Sequence, residues 1–185
     1  MKEYGKMVKN AFNYKGRARR REYWVPNLIN SGIACFMAGL IFLFATIAGD
    51  CLWYNMNGSF GYSTAGSMAA TIAYIPSALF SIFTFVVGLS LGVRRFHDAG
   101  FKAWVYALCY VGICCCGLGA IAMLVIACFN SKEDNQWGPN PKAANPDEYK
   151  GAGSIILGIV LCVVGMIFQT VCMVSNMMLD PTIFF

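Results

Sequence analysis

The sequence predicts an all-α integral membrane protein, with an N-terminal amphipathic interfacial helix followed by four hydrophobic helical segments. The first observation is composition, because 58% of the 185 residues are hydrophobic and only 12% are charged. Soluble domains carry about 25% charged residues. The second is the pattern, in which long uncharged runs alternate with short charged segments. Runs of this length are typical of segments that enter or cross a bilayer.

The N-terminal segment, residues 1–22, is predicted to be a cytoplasmic amphipathic and basic region. Apolar residues recur at helical spacing on one face, at Tyr4, Met7, Val8, Ala11 and Phe12. Two interpretations are open: the helix lies in the plane of the lipid headgroups, or it packs on the protein's own loops. Arginines, then Tyr23-Trp24, then an apolar run is the order expected at a cytoplasmic membrane interface.

Residues 23–150 are predicted to form the membrane core, and residues 151–185 an additional C-terminal transmembrane helix. The core comprises apolar segments at about 24–48, 71–93 and 103–131, then a polar loop at 132–150. Small residues recur every four positions in three segments, at Ser31-Cys35-Gly39, Thr84-Gly88-Gly92 and Ser154-Gly158-Cys162. Such faces favour close helix packing, within the chain, between copies, or with other membrane proteins.

The third segment, residues 103–131, allows two topologies. Its 29 uncharged residues would make a straight helix of about 43 Å, against a hydrocarbon core of about 30 Å. Its centre, Cys114-Cys115-Cys116-Gly117-Leu118-Gly119, is suited to breaking a helix. The segment is therefore either one long tilted span or a re-entrant helical hairpin. The side of the 132–150 loop and of the C-terminus depends on this choice.

Basic residues orient the chain. Eight of the fourteen Lys and Arg fall within the first 21 residues, and none falls in residues 51–70. The positive-inside rule then predicts a cytoplasmic N-terminus. If residues 103–131 form a hairpin, all fourteen lie on that side; if they span, Lys132, Lys142 and Lys150 lie outside. Because membrane topology explains this clustering, no nucleic-acid partner is predicted.

The nine cysteines are interpreted as packing residues. Eight lie in apolar runs, and no pair has the spacing and polar flanks of a zinc site. We therefore predict no metal ion and no cofactor.

A charged island, Arg94 to Lys102, separates two long uncharged runs and contains the single histidine, His97. In a structural interpretation Arg94 and Arg95 anchor the second span, Asp98 caps the next helix or pairs with an arginine, and Gly100 permits a turn. In a functional interpretation the basic residues bind anionic headgroups or phosphate. The candidate binding residues are Arg17, Arg19, Arg20, Arg21, Arg94, Arg95, His97, Asp98 and Lys102.

The predicted function is a non-enzymatic membrane module, a scaffold or partner-binding protein whose basic cytoplasmic face contacts membrane lipids. No nucleophile motif accompanies His97 and Asp98, so no catalytic residue is predicted. The alternative is a small-solute or lipid transporter. Polar residues within the spans are few, namely Asn27, Asn30, Gln169 and Asn176, whereas coupled carriers usually hold charged residues at depth.

Three segments carry a family resemblance: Phe12 to Trp24 (FNYKGRARRREYW), Arg94 to Gly100 (RRFHDAG) and Trp137 to Pro141 (WGPNP). In this order they resemble the bacterial inner-membrane family of domain of unknown function 805, the YhaH-like proteins. The resemblance covers roughly residues 4–142 and implies a multi-pass inner-membrane location. The third motif of that family commonly carries Asp where this chain has Asn140. The family implies no activity.

Overall fold

The structure, a computed structural model, describes residues 2–47, 53–54, 60–61, 64–144 and 151–178. Most of these residues are helical. The helices are α1 (Lys2–Lys9), α2 (Arg20–Ile47), α3 (Thr64–Asp98), α4 (Ala103–Cys116), α5 (Leu118–Cys128), α6 (Pro141–Ala144) and α7 (Gly153–Met178). Two short antiparallel strands, β1 (Trp53–Tyr54) and β2 (Phe60–Gly61), precede α3.

The prediction of an all-α membrane protein is confirmed. Three helices are long and apolar enough to cross a membrane, over Arg20–Ala45, Thr71–Asp98 and Gly153–Ser175. The helix α3 extends beyond the predicted segment 71–93 at both ends. At its C-terminal end it includes Arg94 to Asp98, because the first residue able to stop the helix is Gly100.

The end of α3 is a Schellman motif. Gly100 has φ of 87°, a left-handed conformation that favours glycine. The Phe101 amide donates to the Phe96 carbonyl at 2.9 Å, and the Gly100 amide donates to the His97 carbonyl at 3.0 Å. The rings of Phe96 and Phe101 approach each other at 6.3 Å. Gly100 therefore supplies the turn that the sequence assigned to it.

The third apolar segment is a helical hairpin. Gly117, with φ of 71°, separates α4 from α5. Helices of 14 and 11 residues measure about 21 and 16 Å, so neither crosses a core of about 30 Å alone. A Cβ on buried Gly119 would lie 1.9 Å from the Cys109 carbonyl oxygen, which shows how closely the two helices pack. Of the two topologies left open by the sequence, the structure has the hairpin.

The chain divides into two compact units. The first comprises Met1–Asn27 and Thr84–Ile156, and the second comprises Leu28–Phe83 and Leu157–Phe185. In the first unit, the end of α3 packs on the hairpin through a cluster that includes Phe96, Tyr106 and Ile126. The Tyr106 hydroxyl donates to the Gly88 carbonyl at 3.4 Å, and Tyr106 occupies the space where Gly92 has no side chain.

The N-terminal helix α1 packs on α3 within the first unit. Met7 is 2% exposed and lies in a cluster with Ala18, Val87 and Leu91. This contact corresponds to the interpretation in which α1 packs on the protein itself. Other apolar residues of the N-terminal segment, Val8 and Phe12, remain exposed. A position of this helix among lipid headgroups stays a prediction.

In the second unit, α2 and α7 approach each other through glycines. A Cβ on Gly32 would lie 2.5 Å from the Leu161 carbonyl carbon, and a Cβ on Gly165 would lie 2.4 Å from the Gly32 oxygen. Phe36 stacks on Phe168 at 4.8 Å. Gly39, which the sequence placed on a small-residue face, makes room for the Phe168 ring. At least part of that face therefore serves packing within the chain.

Candidate functional site

The segment Gly16 to Ala18 lies along the last turns of α3. The Ala18 amide donates to the Arg94 carbonyl at 3.1 Å, and Arg95 Nη1 donates to the Ala18 carbonyl at 3.3 Å. Ala18 is fully buried, with 0% exposure. The first motif is thus joined to the charged island by hydrogen bonds on both sides of a buried alanine.

A buried network of two arginines and one aspartate occupies the centre of this region. Asp98 Oδ1 accepts from Arg17 Nε at 3.1 Å, and Asp98 Oδ2 pairs with Arg95 Nη1. The three side chains are 2% exposed or less. Ser131 adds a hydrogen bond of 2.6 Å to Asp98 Oδ2. Asp98 therefore pairs with arginines, whereas the helix α4 that follows it has no side-chain cap.

Backbone carbonyls satisfy the remaining guanidinium donors of the network. Arg17 donates to the carbonyls of Lys132, Glu133 and Gly138. Arg95 donates to the carbonyls of Ala127 and Phe129 at the end of the hairpin. Buried charges persist in proteins when they are paired and hydrogen-bonded in this way. The network consequently joins all three sequence motifs in one place.

His97 is held on two sides. Its ring stacks on Trp137 at 4.4 Å with an interplanar angle of 8°, and its Nδ1 lies 3.3 Å from the Gly16 carbonyl oxygen. Because a carbonyl only accepts, Nδ1 carries the hydrogen in this contact. Asn135 Nδ2 donates to the His97 carbonyl at 3.0 Å. The third motif therefore covers the histidine of the second.

Asn140 initiates α6. Its Oδ1 accepts from the Lys142 amide at 3.0 Å, and Pro141 follows it at the first helical position. Asn and Asp cap helices about equally well. The departure of this chain from the Asp of the resembled motif therefore leaves the capping contact intact.

The other predicted binding residues have different surroundings. Arg19 is 8% exposed and donates to the Pro141 carbonyl, whereas Arg20 and Lys102 are exposed. Arg21 pairs with Glu3 at 2.8 Å and donates to Ser154 Oγ at 2.8 Å. Arg94 is 7% exposed and buried beside α1. The structure brings all nine residues into the first unit but leaves few at its surface.

Glu3 anchors α1 through its carboxylate. Burial would raise the pKa of Glu3, but hydrogen bonds from Ser154 and the backbone, together with the Arg21 guanidinium, lower it to about 2. The carboxylate therefore stays ionised at neutral pH and holds the N-terminal helix to the start of α2 and of α7.

Two pockets are lined by several of these basic side chains. The first, the α1 pocket, has a volume of about 450 Å³. Its lining includes six basic and two acidic residues, namely Lys6, Lys9, Lys15, Arg17, Arg19, Arg94, Glu3 and Glu22. The second, the Arg20 cleft, has a volume of about 520 Å³ and is lined by Arg19, Arg20, Arg21, Asn130, Ser131, Asn140 and Lys142.

Sequence reasoning missed the lysines of the α1 pocket. Lys6, Lys9 and Lys15 belong to the N-terminal segment, for which the sequence did not decide between contact with lipid and contact with the protein. Only the docking of Met7 against Val87 and Leu91 brings these lysines to the wall opposite Arg94. These lysines and Arg94 are about 80 or more positions apart in the chain, so no sequence motif indicates that they line one pocket.

Comparisons with known proteins agree with the motifs. A family model described as "Protein of unknown function (DUF805)" matches residues 11–139. Inner membrane protein YhaH of Escherichia coli (strain K12) is 30% identical over 143 residues, which cover 75% of this chain and 95% of YhaH. Inner membrane protein YhaI of the same strain is 28% identical over 143 residues, covering 77% of this chain and 97% of YhaI. No solved structure matches.

Among the described residues, three helices long and apolar enough to cross a membrane, together with the helical hairpin, define an all-α membrane protein. A buried network of ion pairs and hydrogen bonds links its three sequence motifs. The family match covers more than half of the chain. The chain therefore belongs to the DUF805 family of proteins of unknown function, and its relatives YhaH and YhaI are inner membrane proteins.

Proposed function

We propose that this chain is a non-enzymatic membrane module, a scaffold for other envelope proteins, whose basic face binds anionic lipid headgroups from the cytoplasmic side of a bacterial inner membrane. All fourteen Lys and Arg belong to the first compact unit, and the second contains none. Clustered basic residues at the cytoplasmic surface attract anionic lipids by about 1 kcal/mol each.

The proposed orientation follows from the hairpin. With α4 and α5 re-entering on one side, the N-terminal segment, the island and the loop after α5 share that side. All fourteen basic residues then lie at one membrane surface, as the positive-inside rule requires for the cytoplasmic face. The sequence segment between α2 and α3, which has no Lys or Arg, is then expected at the other surface.

We expect a cysteine introduced at exposed Ala143 to react with a membrane-impermeant maleimide only in inside-out vesicles. The background would have the nine native cysteines replaced. A cysteine at Asn57, which falls between α2 and α3 in the sequence, serves as the matched control and should react only in spheroplasts. Reaction of the Ala143→Cys chain in spheroplasts would overturn both the orientation and the shared face.

The Arg20 cleft is the observation that carries the lipid proposal. Three arginines and Lys142 line it, and none of the lining residues is acidic. Arg20 is exposed and begins the candidate membrane span Arg20–Ala45, which supports a contact between Arg20 and the lipid headgroups. The Arg17, Arg95 and Asp98 side chains, by contrast, are buried among protein groups and are left out of the proposed lipid contact.

Replacing Arg20 and Lys142 with Gln should reduce the preference of the reconstituted protein for phosphatidylglycerol over phosphatidylcholine. At about 1 kcal/mol per basic residue, the expected loss is roughly tenfold or more, and it should shrink as salt rises. Quenching of tryptophan fluorescence by brominated forms of the two lipids measures the preference.

The control is Lys2→Gln with Lys102→Gln, which removes the same charge from exposed positions outside the cleft. We expect this pair to have a clearly smaller effect. Equal losses in the two double variants would show a diffuse surface attraction, and no loss in the first would contradict the lipid proposal.

A further inference from the structure

We propose that the α1 pocket is a specific site for one phosphate group, with Arg94 as its principal ligand. This inference refines the proposed lipid contact but rests on a different pocket. The pocket lies between α1, the segment that follows it, and the last turns of α3. Its volume of about 450 Å³ is within the range of small-molecule sites, roughly 300–1,000 Å³.

Arg94 is the unusual residue of this pocket. It is more than nine-tenths buried, with 7% exposure, and its Nε donates to the Ser90 carbonyl at 3.3 Å. Its Nη2 has no hydrogen-bond partner among the residues that the structure describes. A buried charged donor without a partner is costly, and here that donor belongs to a side chain that lines the pocket.

The neighbouring carboxylates are already engaged. Glu22 accepts from Lys6 Nζ at 3.0 Å and from the Arg19 amide at 3.0 Å. Glu3, which also lines the pocket, accepts from Arg21 and Ser154. Glu22 still attracts the Arg94 guanidinium electrostatically. The six basic residues of the lining nevertheless outnumber its two acids, so the positive charge of the pocket is incompletely balanced.

The chemistry of the lining favours phosphate. The planar guanidinium of arginine offers donors that match phosphate oxygens, and Lys9 and Lys15 add flexible ammonium groups at exposed positions of the same pocket. Arg94 also lies in the last turns of the candidate span Thr71–Asp98, close to the expected level of headgroups. An anionic phospholipid headgroup and a soluble phosphate ester share this chemistry.

The test uses the full-length protein in an uncharged detergent and measures its melting temperature with four probes. These are inorganic phosphate, glycerol phosphate, short-chain phosphatidylglycerol and short-chain phosphatidylcholine. A ligand that binds only the folded state raises the melting temperature. A rise with the soluble phosphates identifies a free anion, and a rise with phosphatidylglycerol alone identifies a headgroup; either result supports the site.

Arg94→Gln should raise the dissociation constant of the active probe by about tenfold or more, since it removes the charged donor. Without probe, this variant should melt at the same temperature as the parent or higher, because it removes a buried, incompletely paired charge. A residue with a merely structural role would instead lower the melting temperature. Lys102→Gln, an exposed change outside the pocket, serves as the matched control.

Three outcomes would overturn the site: no probe stabilises the protein, phosphatidylcholine stabilises it as well as phosphatidylglycerol, or Arg94→Gln binds like the parent. If Arg94→Gln binds normally while Arg20→Gln with Lys142→Gln does not, the lipid proposal stands and the α1 site fails. The converse result would retain the α1 site and reject the Arg20 cleft.

Discussion

Asp98→Ala should lower the stability of the protein by about 3–5 kcal/mol, the usual cost of removing one partner from a buried ion pair. The reason is that Arg17 and Arg95, at 2% and 0% side-chain exposure, would keep their charges without a carboxylate. The measurement is thermal unfolding of the purified protein in detergent, followed by circular dichroism. Reduced accumulation in the membrane is the expected cellular consequence.

The matched control for Asp98 is Glu133→Ala. Glu133 is an exposed acid in the loop after the hairpin, and its contact with Arg17 runs through its backbone carbonyl, which the substitution retains. Similar unfolding temperatures for the two variants would show that the buried network contributes little to the stability of the folded protein. Asp98→Leu combined with Arg95→Met should cost less than the sum of the single changes, because the two residues are in direct contact.

Gly119→Ala should separate the two helices of the hairpin. The added Cβ would lie 1.9 Å from the Cys109 oxygen and 2.6 Å from the Ile113 nitrogen. Both atoms belong to the backbone, so no side-chain rotation relieves the overlap. Overpacking of this kind costs typically 1–3 kcal/mol, and Gly119→Val should cost more. A lower unfolding temperature in detergent is the expected result.

Gly88→Ala is the control for the hairpin variant. Gly88 also lies in a helix, but a Cβ there would meet no heavy atom within 4 Å. Alanine in place of a helical glycine usually stabilises by about 1 kcal/mol or less. If Gly119→Ala were as stable as Gly88→Ala, the close packing of α4 against α5 would be wrong. The hairpin that brings the segment after α5 back to the Arg94–Lys102 island would then be wrong as well.

Two adjacent arginines, Arg94 and Arg95, have different surroundings that the sequence did not predict. Arg94 and Arg95 are equivalent in the sequence, and both suit an interfacial anchor. In a helix of 3.6 residues per turn, neighbouring side chains point about 100° apart. Arg95 therefore meets Asp98 and the hairpin carbonyls, whereas Arg94 lines the α1 pocket.

The N-terminal helix α1 is a second case in which the sequence pattern did not identify the contact partner. Its apolar spacing predicted one buried face; Met7 of that face is buried at 2% exposure, whereas Val8 and Phe12 are exposed. Burial against lipid tails and burial against the side chains of Val87 and Leu91 both stabilise an apolar helix face, because the hydrophobic effect is non-directional. The pattern therefore indicated burial without identifying the partner.

By itself, the sequence determined the membrane class, the apolar segments, the glycine turn at Gly100 and the clustering of eight of the fourteen basic residues within the first 21 positions. These follow from local properties, namely hydropathy, helix-stopping residues and charge counts. The tertiary structure decided that residues 103–131 form a hairpin and which basic groups are internally neutralised. The partners of Arg17 lie 81 and 121 positions away, and only folding brings groups so distant into hydrogen-bond range.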